Sequence, residues 1–232
     1  MPPLYLIILY RTIQIIAPCR QAGKIFIAVG YRFVIALSMG RKLEFDYDKA
    51  IEKATYLFWQ KGYTNTSLRE LLKVMQIGEG SFYNSVKSKK HLYLECLKHY
   101  SDTVSRRRLN ALLAPATGKE GIRAFFKAVL DELDHPRTPR VCLMAGSLSG
   151  DVLDERDLRL YVVAEMETFI ECLAQRLEAD RTAGKLPEGF DVNAAAQMIL
   201  TYLQGLFRTI RILHDRKQVE KQLELLLTGL GL

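Results

Sequence analysis

The chain has 232 residues, 49% of them hydrophobic and 25% charged, which excludes a disordered or fibrous chain and allows one extended globular domain or two small ones. The formal net charge of +7 is unevenly distributed, because residues 1–38 and 39–101 carry +4 each and residues 102–232 carry −1. Positive charge concentrated in the first half is what a DNA-binding region requires.

Residues 1–38 are apolar, yet they do not follow the helical pattern of the rest of the chain. Four basic residues interrupt them, so the longest uncharged run has 10 residues, against the roughly 18 that a membrane span needs. That run starts at Met1 with no basic residue before it, which argues against a signal peptide. We expect a non-native or disordered extension, and we expect a protein that starts at Met39 to fold and bind DNA. The alternative is a genuine extension that packs on a partner or touches a membrane surface.

The first predicted helix begins after Asp46 as N-cap and ends at Lys61, with Gly62 just past its end. Apolar residues recur along one face, and Trp59 beside this face is interpreted as a packing residue. The helix is therefore predicted to be scaffold. The residues of its apolar face are Tyr47, Ala50, Ile51, Ala54, Leu57 and Phe58.

Two short helices joined by a turn at residues 76–78 are predicted next. Ser67 and Glu70 have the spacing of a capping box, which fixes the start of the first one. The second carries only Phe82 and Val86 on its buried stripe, so its other face displays small, polar and basic groups. This arrangement predicts a helix-turn-helix whose second helix enters a DNA groove. Its outward residues are Gly80, Tyr83, Asn84 and Lys87.

The following helix begins at Ser88 as N-cap and places Lys89 and Lys90 in its first turn. Cations are disfavoured there by roughly 0.3 to 1 kcal/mol, because the N-terminal end of a helix carries partial positive charge. A bound anion reverses that cost, so the free N–H groups and the two ammonium groups predict a phosphate site beside the helix-turn-helix. The alternative is that both lysines are solvated and tolerate the penalty.

A set of residues between positions 45 and 100 occurs together in one protein family. In chain order these residues are Phe58, Gly62-Tyr63, Thr66-Ser67, Gly80-Ser81-Phe82-Tyr83, Ser88-Lys89 and Leu92. On these residues the stretch resembles the N-terminal DNA-binding domain of TetR/AcrR-type bacterial transcriptional regulators. The chain departs from the family pattern at Gln76, which replaces the usual turn glycine, and at Val86, which replaces the usual aromatic residue.

The resemblance implies that the helix beginning near Gly80 is the recognition helix and that Tyr83 and Lys89 contact phosphates. Asn84 offers a donor and an acceptor together, a pairing suited to adenine, unless it only solvates the helix while Tyr83 and the backbone set its position. The full set of residues expected to bind DNA is Thr66, Ser67, Gly80, Ser81, Tyr83, Asn84, Lys87, Lys89 and Lys90.

Beyond residue 100 the pattern predicts a larger helical domain. The helix that begins at Ser88 is expected to continue through Arg106-Arg107-Arg108 to Leu113, with the arginines as a solvated face or as a DNA contact. We predict an all-α fold, with a helix-turn-helix domain at residues 39–100 and a ligand-binding and dimerisation domain at residues 101–232. The larger domain is predicted to contain four further helices, at residues 118–133, at residues 158–177 with an end at Ala183-Gly184, from Asp191 to Leu213, and at residues 219–230. The prolines of residues 135–139 are predicted to break the chain after the first of these helices.

The last two predicted helices are too apolar for the outer surface of a monomer. Gly205 in mid-helix costs about 1 kcal/mol relative to alanine, which the close approach of another helix would explain. Both features predict a two-fold contact of four helices, and such a homodimer presents two recognition helices to half-sites about 34 to 36 Å apart. The family resemblance implies the same assembly.

The resemblance also implies a cavity for a small-molecule effector in the larger domain. Arg123 and His135 are candidates for polar contacts with it. For each apolar candidate the alternative is ordinary core packing. The apolar candidates are Tyr100, Phe125, Phe126, Met144, Tyr161, Met166, Phe169, Tyr202 and Phe207.

The sequence has no convincing catalytic or metal-binding motif, so we expect neither an enzyme nor a cofactor or metal. Gly78 and Gly80 have the spacing of part of a dinucleotide-binding fingerprint, but its other glycine is missing. Residues 146–150 have the glycine spacing of a nucleophile elbow, with Leu148 in place of the nucleophilic serine. The four cysteines and four histidines do not have the spacing of metal ligands. The cysteines suit a reducing cytoplasm. Cys142 is either a redox sensor or a buried, inert thiol.

These observations predict a ligand-responsive repressor that binds a palindromic DNA operator as a homodimer in the cytoplasm, has no membrane partner, and is released by a small molecule. The alternative is an all-α enzyme or protein-binding module that uses the helix-turn-helix only as structure. Salt-dependent binding to a palindromic duplex separates the two, because only a protein with a phosphate footprint shows a salt slope.

Overall fold

The computed structural model describes residues 45–213 and 215–232, and within these ranges the secondary structure is helical without β-strands, as the sequence predicts. Residues 1–44, on which the prediction of an extension falls, lie outside the described residues. The helices are α1 (Tyr47–Lys61), α2 (Leu68–Met75), α3 (Glu79–Val86), α4 (Lys89–Tyr100), α5 (Arg106–Leu113), α6 (Gly118–Asp134), α7 (Leu143–Gly146), α8 (Gly150–Leu153), α9 (Arg156–Thr182), α10 (Val192–Thr209) and α11 (Arg216–Gly229).

Helix α1 is the scaffold of the helix-turn-helix, as predicted, and packs against α2 and α4. Ala54 and Phe58 on its apolar face are fully buried. The helix ends where the N–H of Gly62 donates to the Phe58 carbonyl at 2.8 Å. Gly62 has a φ of +79°, a conformation that glycine adopts without strain, so its place just past the helix end is confirmed.

Helix α2 begins with the predicted capping box. The Ser67 Oγ accepts from the Glu70 N–H at 3.3 Å, and the Ser67 N–H donates to Glu70 Oε2 at 2.9 Å. Hydrogen bonds from Lys61 and then from Ser67 lower the pKa of Glu70 to about 2. At the other end of α2, Gln76 takes the left-handed conformation with a φ of +59°. The Lys53 Nζ donates to Gln76 Oε1 at 2.9 Å.

Helices α4 and α5 form one continuous rod, as predicted, but residues Ser101–Ser105 between them make a π-helical turn that the sequence did not predict. A π-helical turn contains more residues than an α-helical turn, so it changes which of the following residues face the core. After this turn Arg108 is only 4% exposed, whereas Arg107 is solvated. The prediction that the arginine run is a solvated face is therefore wrong for Arg108.

The larger domain is a bundle built mainly from α5, α6, α9 and α10, with α11 packed against α6. Asp191 caps α10 as predicted, because its Oδ1 accepts from the N–H of Asn193 and Ala194. Helix α6 ends at Asp134, at the predicted break. The residues after that break form the short helices α7 and α8, which the sequence pattern did not predict. None of the helices in the described part of the chain has the length and hydropathy of a membrane span.

Candidate nucleic-acid interface

Helix α3 has one buried face and one free face. Phe82 and Val86 are fully buried, while Tyr83 is 49% exposed and Asn84 lies beside it on the solvent side. A Cβ atom added to Gly80 would meet nothing within 4 Å, so no neighbour in the described chain requires a glycine there. The helix therefore presents the polar surface expected of a recognition helix, with its position fixed by two core residues.

The connection from α3 to α4 is a tight γ-turn. Lys87 has a φ of +70°, and the Ser88 N–H donates to the Val86 carbonyl at 2.9 Å across it. Lys87 is exposed and Ser81 half-buried. The turn places the exposed end of α3 directly next to the first turn of α4.

The loop before α2 differs from the prediction at Thr66. Its side chain is fully buried, and its hydroxyl donates to the Gly62 carbonyl at 2.7 Å. A buried hydroxyl that is already hydrogen-bonded cannot contact a phosphate, so Thr66 supports the loop instead. Ser67 is exposed, although its hydroxyl also bonds to Glu70 in the capping box.

The first turn of α4 has the geometry of an anion site. Ser88 caps the helix, its Oγ accepting from the His91 N–H at 3.1 Å. The Lys89 ammonium group lies 4.6 Å from the centre of the Tyr63 ring, a cation–π contact that holds it beside the helix N-terminus. Burial lowers the pKa of Lys89, while the charge of Asp151 opposes that shift. Lys89 is thus a positioned cation at the place where phosphate binding is predicted.

Lys90, the second predicted phosphate contact, is not a free cation. Its Nζ donates to Glu155 Oε2 at 3.1 Å, and this hydrogen bond is the main reason that the pKa of Lys90 is raised. Glu155 lies 65 positions further along the chain, so no local sequence signal indicated the pair. The Lys90 ammonium group is thus paired with a residue of the larger domain, and its contact with a phosphate stays a prediction.

Several hydrogen bonds attach helices α1 and α4 to residues 137–155, which we call the linking segment. The Trp59 Nε1 donates to the Val141 carbonyl at 2.7 Å, so Trp59 does more than pack. The Tyr56 hydroxyl donates to the Arg137 carbonyl at 2.8 Å. On α4, the buried hydroxyls of Tyr93 and Ser147 are 2.7 Å apart. Helices α1 and α4 are therefore tied to the same segment of the larger domain.

The residues predicted to bind an effector are buried or half-buried, and several of their aromatic rings pack against one another. Phe125 lies against Phe169, with ring centroids 5.0 Å apart, and Phe126 lies against Tyr202 at 5.6 Å. These contacts fit core packing, and binding by these residues stays a prediction. Of the nine, Tyr100, Phe125, Phe126, Met144, Phe169 and Phe207 are buried, and Tyr161, Met166 and Tyr202 are half-buried.

Neither predicted polar contact is buried. Arg123 is on the surface, where its Nε donates to Glu224 on α11 at 2.7 Å, and His135 is exposed, with its Nδ1 accepting from the Arg137 N–H. Among the described residues of the larger domain, the buried polar side chains are those of Arg108, Ser147 and Asp180, and Arg108 was predicted to lie in solvent or on DNA. Among residues 45–213 and 215–232, no group of three or more His, Cys, Asp or Glu residues is placed to hold a metal ion.

Two protein-family models match the chain. The model described as bacterial regulatory proteins, tetR family, matches residues 50–96, and the model of a tetracyclin repressor-like C-terminal domain matches residues 118–226. The first model covers the helix-turn-helix and the second covers most of the larger domain. The two matched regions therefore follow the order in which the sequence predicts a helix-turn-helix and a larger helical domain.

Individual relatives agree with the family models. The uncharacterized HTH-type transcriptional regulator YezE of Bacillus subtilis is 25% identical over 83% of this chain and 100% of its own length. The HTH-type transcriptional repressor ComR of Escherichia coli is 27% identical over 84% of this chain and 92% of ComR. Among solved structures, a cysteine mutant of the TetR family transcriptional regulator CifR, complexed with 26-bp double-stranded operator DNA, is 27% identical with a TM-score of 0.74, over 81% of this chain and 98% of that chain.

Proposed function

This chain belongs to the TetR family of bacterial regulatory proteins, and we propose that it is a ligand-responsive transcriptional repressor whose helix α3 reads operator DNA. The observation that carries the proposal is the pairing of a free polar face on α3 with a positioned cation at the start of α4. Tyr83 and Asn84 are outward on α3, and Lys89 stands at the N-terminus of the next helix, α4, over the Tyr63 ring. Base reading and phosphate positioning thus have separate residues.

The proposed repressor acts as a homodimer on a palindromic operator in the cytoplasm. Helices α10 and α11 support this part, because they expose large apolar side chains that a monomer would leave in water. Met198 is 51% exposed and Leu225 74% exposed. A Cβ added to Gly205 would meet nothing within 4 Å, so the glycine leaves room for a neighbour from outside the subunit.

Release by a small molecule requires that the interior of the larger domain be coupled to α3. The linking segment provides the physical connection, because it is hydrogen-bonded to α1 through Trp59 and to α4 through Tyr93. A shift of this segment on effector binding would break these bonds or carry both helices with it. In either case the distance between the two recognition helices of a dimer changes, and the operator no longer fits both.

The proposal is tested by selecting duplexes from a random pool with the purified full chain, and then measuring affinity for the enriched duplex over a salt series. We expect a palindrome with half-sites about one helical turn apart and a log–log salt slope of several units. Asn84→Ala should relax the preference at one base position of the enriched duplex, whereas Asn110→Ala, which removes an exposed amide on α5, serves as the matched control. A pool without enrichment, or affinity independent of salt, would refute DNA regulation.

A further inference from the structure

A guanidinium group is buried inside the larger domain. Arg108 follows the π-helical turn, and its side chain is 5% exposed. The Cζ atom lies 5.9 Å from the centre of the Tyr100 ring and 5.4 Å from that of Phe207. Burying a charge among aromatic rings is costly unless it is fully paired and hydrogen-bonded. The fold therefore holds Arg108 at a cost that packing alone does not explain.

The pairing of Arg108 is incomplete. Glu132 Oε2 accepts a hydrogen bond from the Arg108 Nε at 2.9 Å. The same oxygen lies 2.7 Å from the Arg108 Nη2, but Nη2 is buried and donates no hydrogen bond. The Nη1 atom has only the Cys142 sulfur at 3.7 Å, and a thiol is a weak acceptor. The Arg108 guanidinium has five N–H donors and one strong acceptor, so it can donate to a second acceptor.

The charge balance around Arg108 is positive. Glu132 is shared, because its other oxygen lies 3.4 Å from the Nε of Arg107. That same oxygen is buried and accepts no hydrogen bond. Two guanidinium groups therefore meet one carboxylate, and an additional negative group near Arg108 would be stabilised by both the unmet donors and the excess charge.

We propose that Arg108 anchors the effector, and that the effector is a small organic carboxylate whose anionic group binds the guanidinium while its apolar body packs against Tyr100 and Phe207. Both aromatic residues belong to the set predicted to bind an effector. The inference rests on the proposed function, because it names the chemical class that the larger domain recognises.

The position of Arg108 also explains how an anion would act on DNA binding. The Tyr100 hydroxyl donates to the Cys142 sulfur at 3.4 Å, and that sulfur is the weak acceptor of Arg108. Tyr100 is the last residue of α4, and Cys142 belongs to the linking segment. An anion that accepts hydrogen bonds from Arg108 would therefore lie next to the contact between Tyr100 of α4 and Cys142 of the linking segment.

The test compares straight-chain carboxylates from acetate to dodecanoate, and benzoate, each with its primary amide as a neutral control of equal shape. The readouts are the melting temperature of the full chain and the fluorescence of Trp59, the one tryptophan in the sequence, whose ring centroid lies 5.0 Å from that of Tyr100. We expect the acids of intermediate length to bind about 10- to 100-fold more tightly than their amides, as a charge-assisted hydrogen bond predicts.

The variant Arg108→Met/Glu132→Gln removes both charges of the buried pair, so that neither Arg108 nor Glu132 is left as a buried charge without its partner. It should lose the preference for acids over amides. The matched control Arg123→Met/Glu224→Gln, which removes an exposed pair between α6 and α11, should keep it. Equal affinity for acids and amides in the unmodified protein, or no binding by any acid, overturns the inference without relying on a variant.

The outcome is separable from that of the proposed function. Operator selection in the absence of any acid tests DNA regulation alone. An enriched palindrome together with no preference for acids would reject an anionic effector while leaving the repressor intact. A preference for acids with no enriched duplex would reject the repressor instead.

Discussion

Replacing Lys89 by alanine should reduce the salt dependence of DNA binding without changing the preferred sequence. Lys89 is the first residue of α4, and its ammonium group is held 4.6 Å from the centre of the Tyr63 ring. At this place it adds to the free N–H groups of the helix N-terminus, so we propose that its partner on DNA is a phosphate. Phosphates are the same in every sequence, so the loss should fall on specific and non-specific duplexes alike.

The size of the effect follows from counterion release. Each phosphate contact contributes about 0.9 to the slope of log affinity against log salt, so a dimer that loses two contacts should have a slope about 1.8 units shallower. Between 50 and 200 mM salt, the factor by which affinity falls should therefore be about 12 times smaller for the Lys89→Ala dimer than for the unmodified protein. The absolute affinity at low salt should be weaker.

Lys90 provides the internal comparison. Its ammonium group is paired with Glu155, so Lys90→Ala should change the slope less than Lys89→Ala does. Conversely, Glu155→Gln should release Lys90 and steepen the slope by up to about 0.9 per subunit. Fluorescence anisotropy with labelled operator and scrambled duplexes, at several salt concentrations, measures all three variants. An unchanged slope for Lys89→Ala, or equal effects of Lys89→Ala and Lys90→Ala, would refute the assignment.

Three further variants address the other parts of the molecule. Asn84→Ala should cost roughly 1 to 3 kcal/mol on the operator and little on scrambled duplex, and equal losses on both would show that Asn84 does not read a base. Gly205→Leu should shift the protein towards monomer in sedimentation, because the position is exposed and empty within its own chain, and an intact dimer would contradict that contact. Gly121→Ala should lower the free energy of unfolding in urea by about 1 to 3 kcal/mol, despite the helix propensity gained, since its Cβ would lie 2.2 Å from the Leu112 carbonyl oxygen; unchanged stability would contradict the close packing of α5 and α6.

The sequence by itself determined the helix-turn-helix. The capping box of Ser67 and Glu70, the glycine after α1 and the stripe of Phe82 and Val86 are all local patterns, each complete within about four residues. Backbone hydrogen bonds and side-chain faces of a helix repeat on that same scale, so such patterns can be read without knowing what packs against them. The bounds of α3 and the residues on its exposed face could be predicted for this reason.

Tertiary structure decided what each polar side chain does. Thr66 is buried because of how its loop folds back on Gly62, and Lys90 is paired because Glu155 arrives from a distant part of the chain. Arg108 turns inward because the π-helical turn rotates the residues that follow it. An amino acid's local pattern gives its place on a helix, whereas its burial and its partners depend on the neighbours that folding brings together from far along the chain.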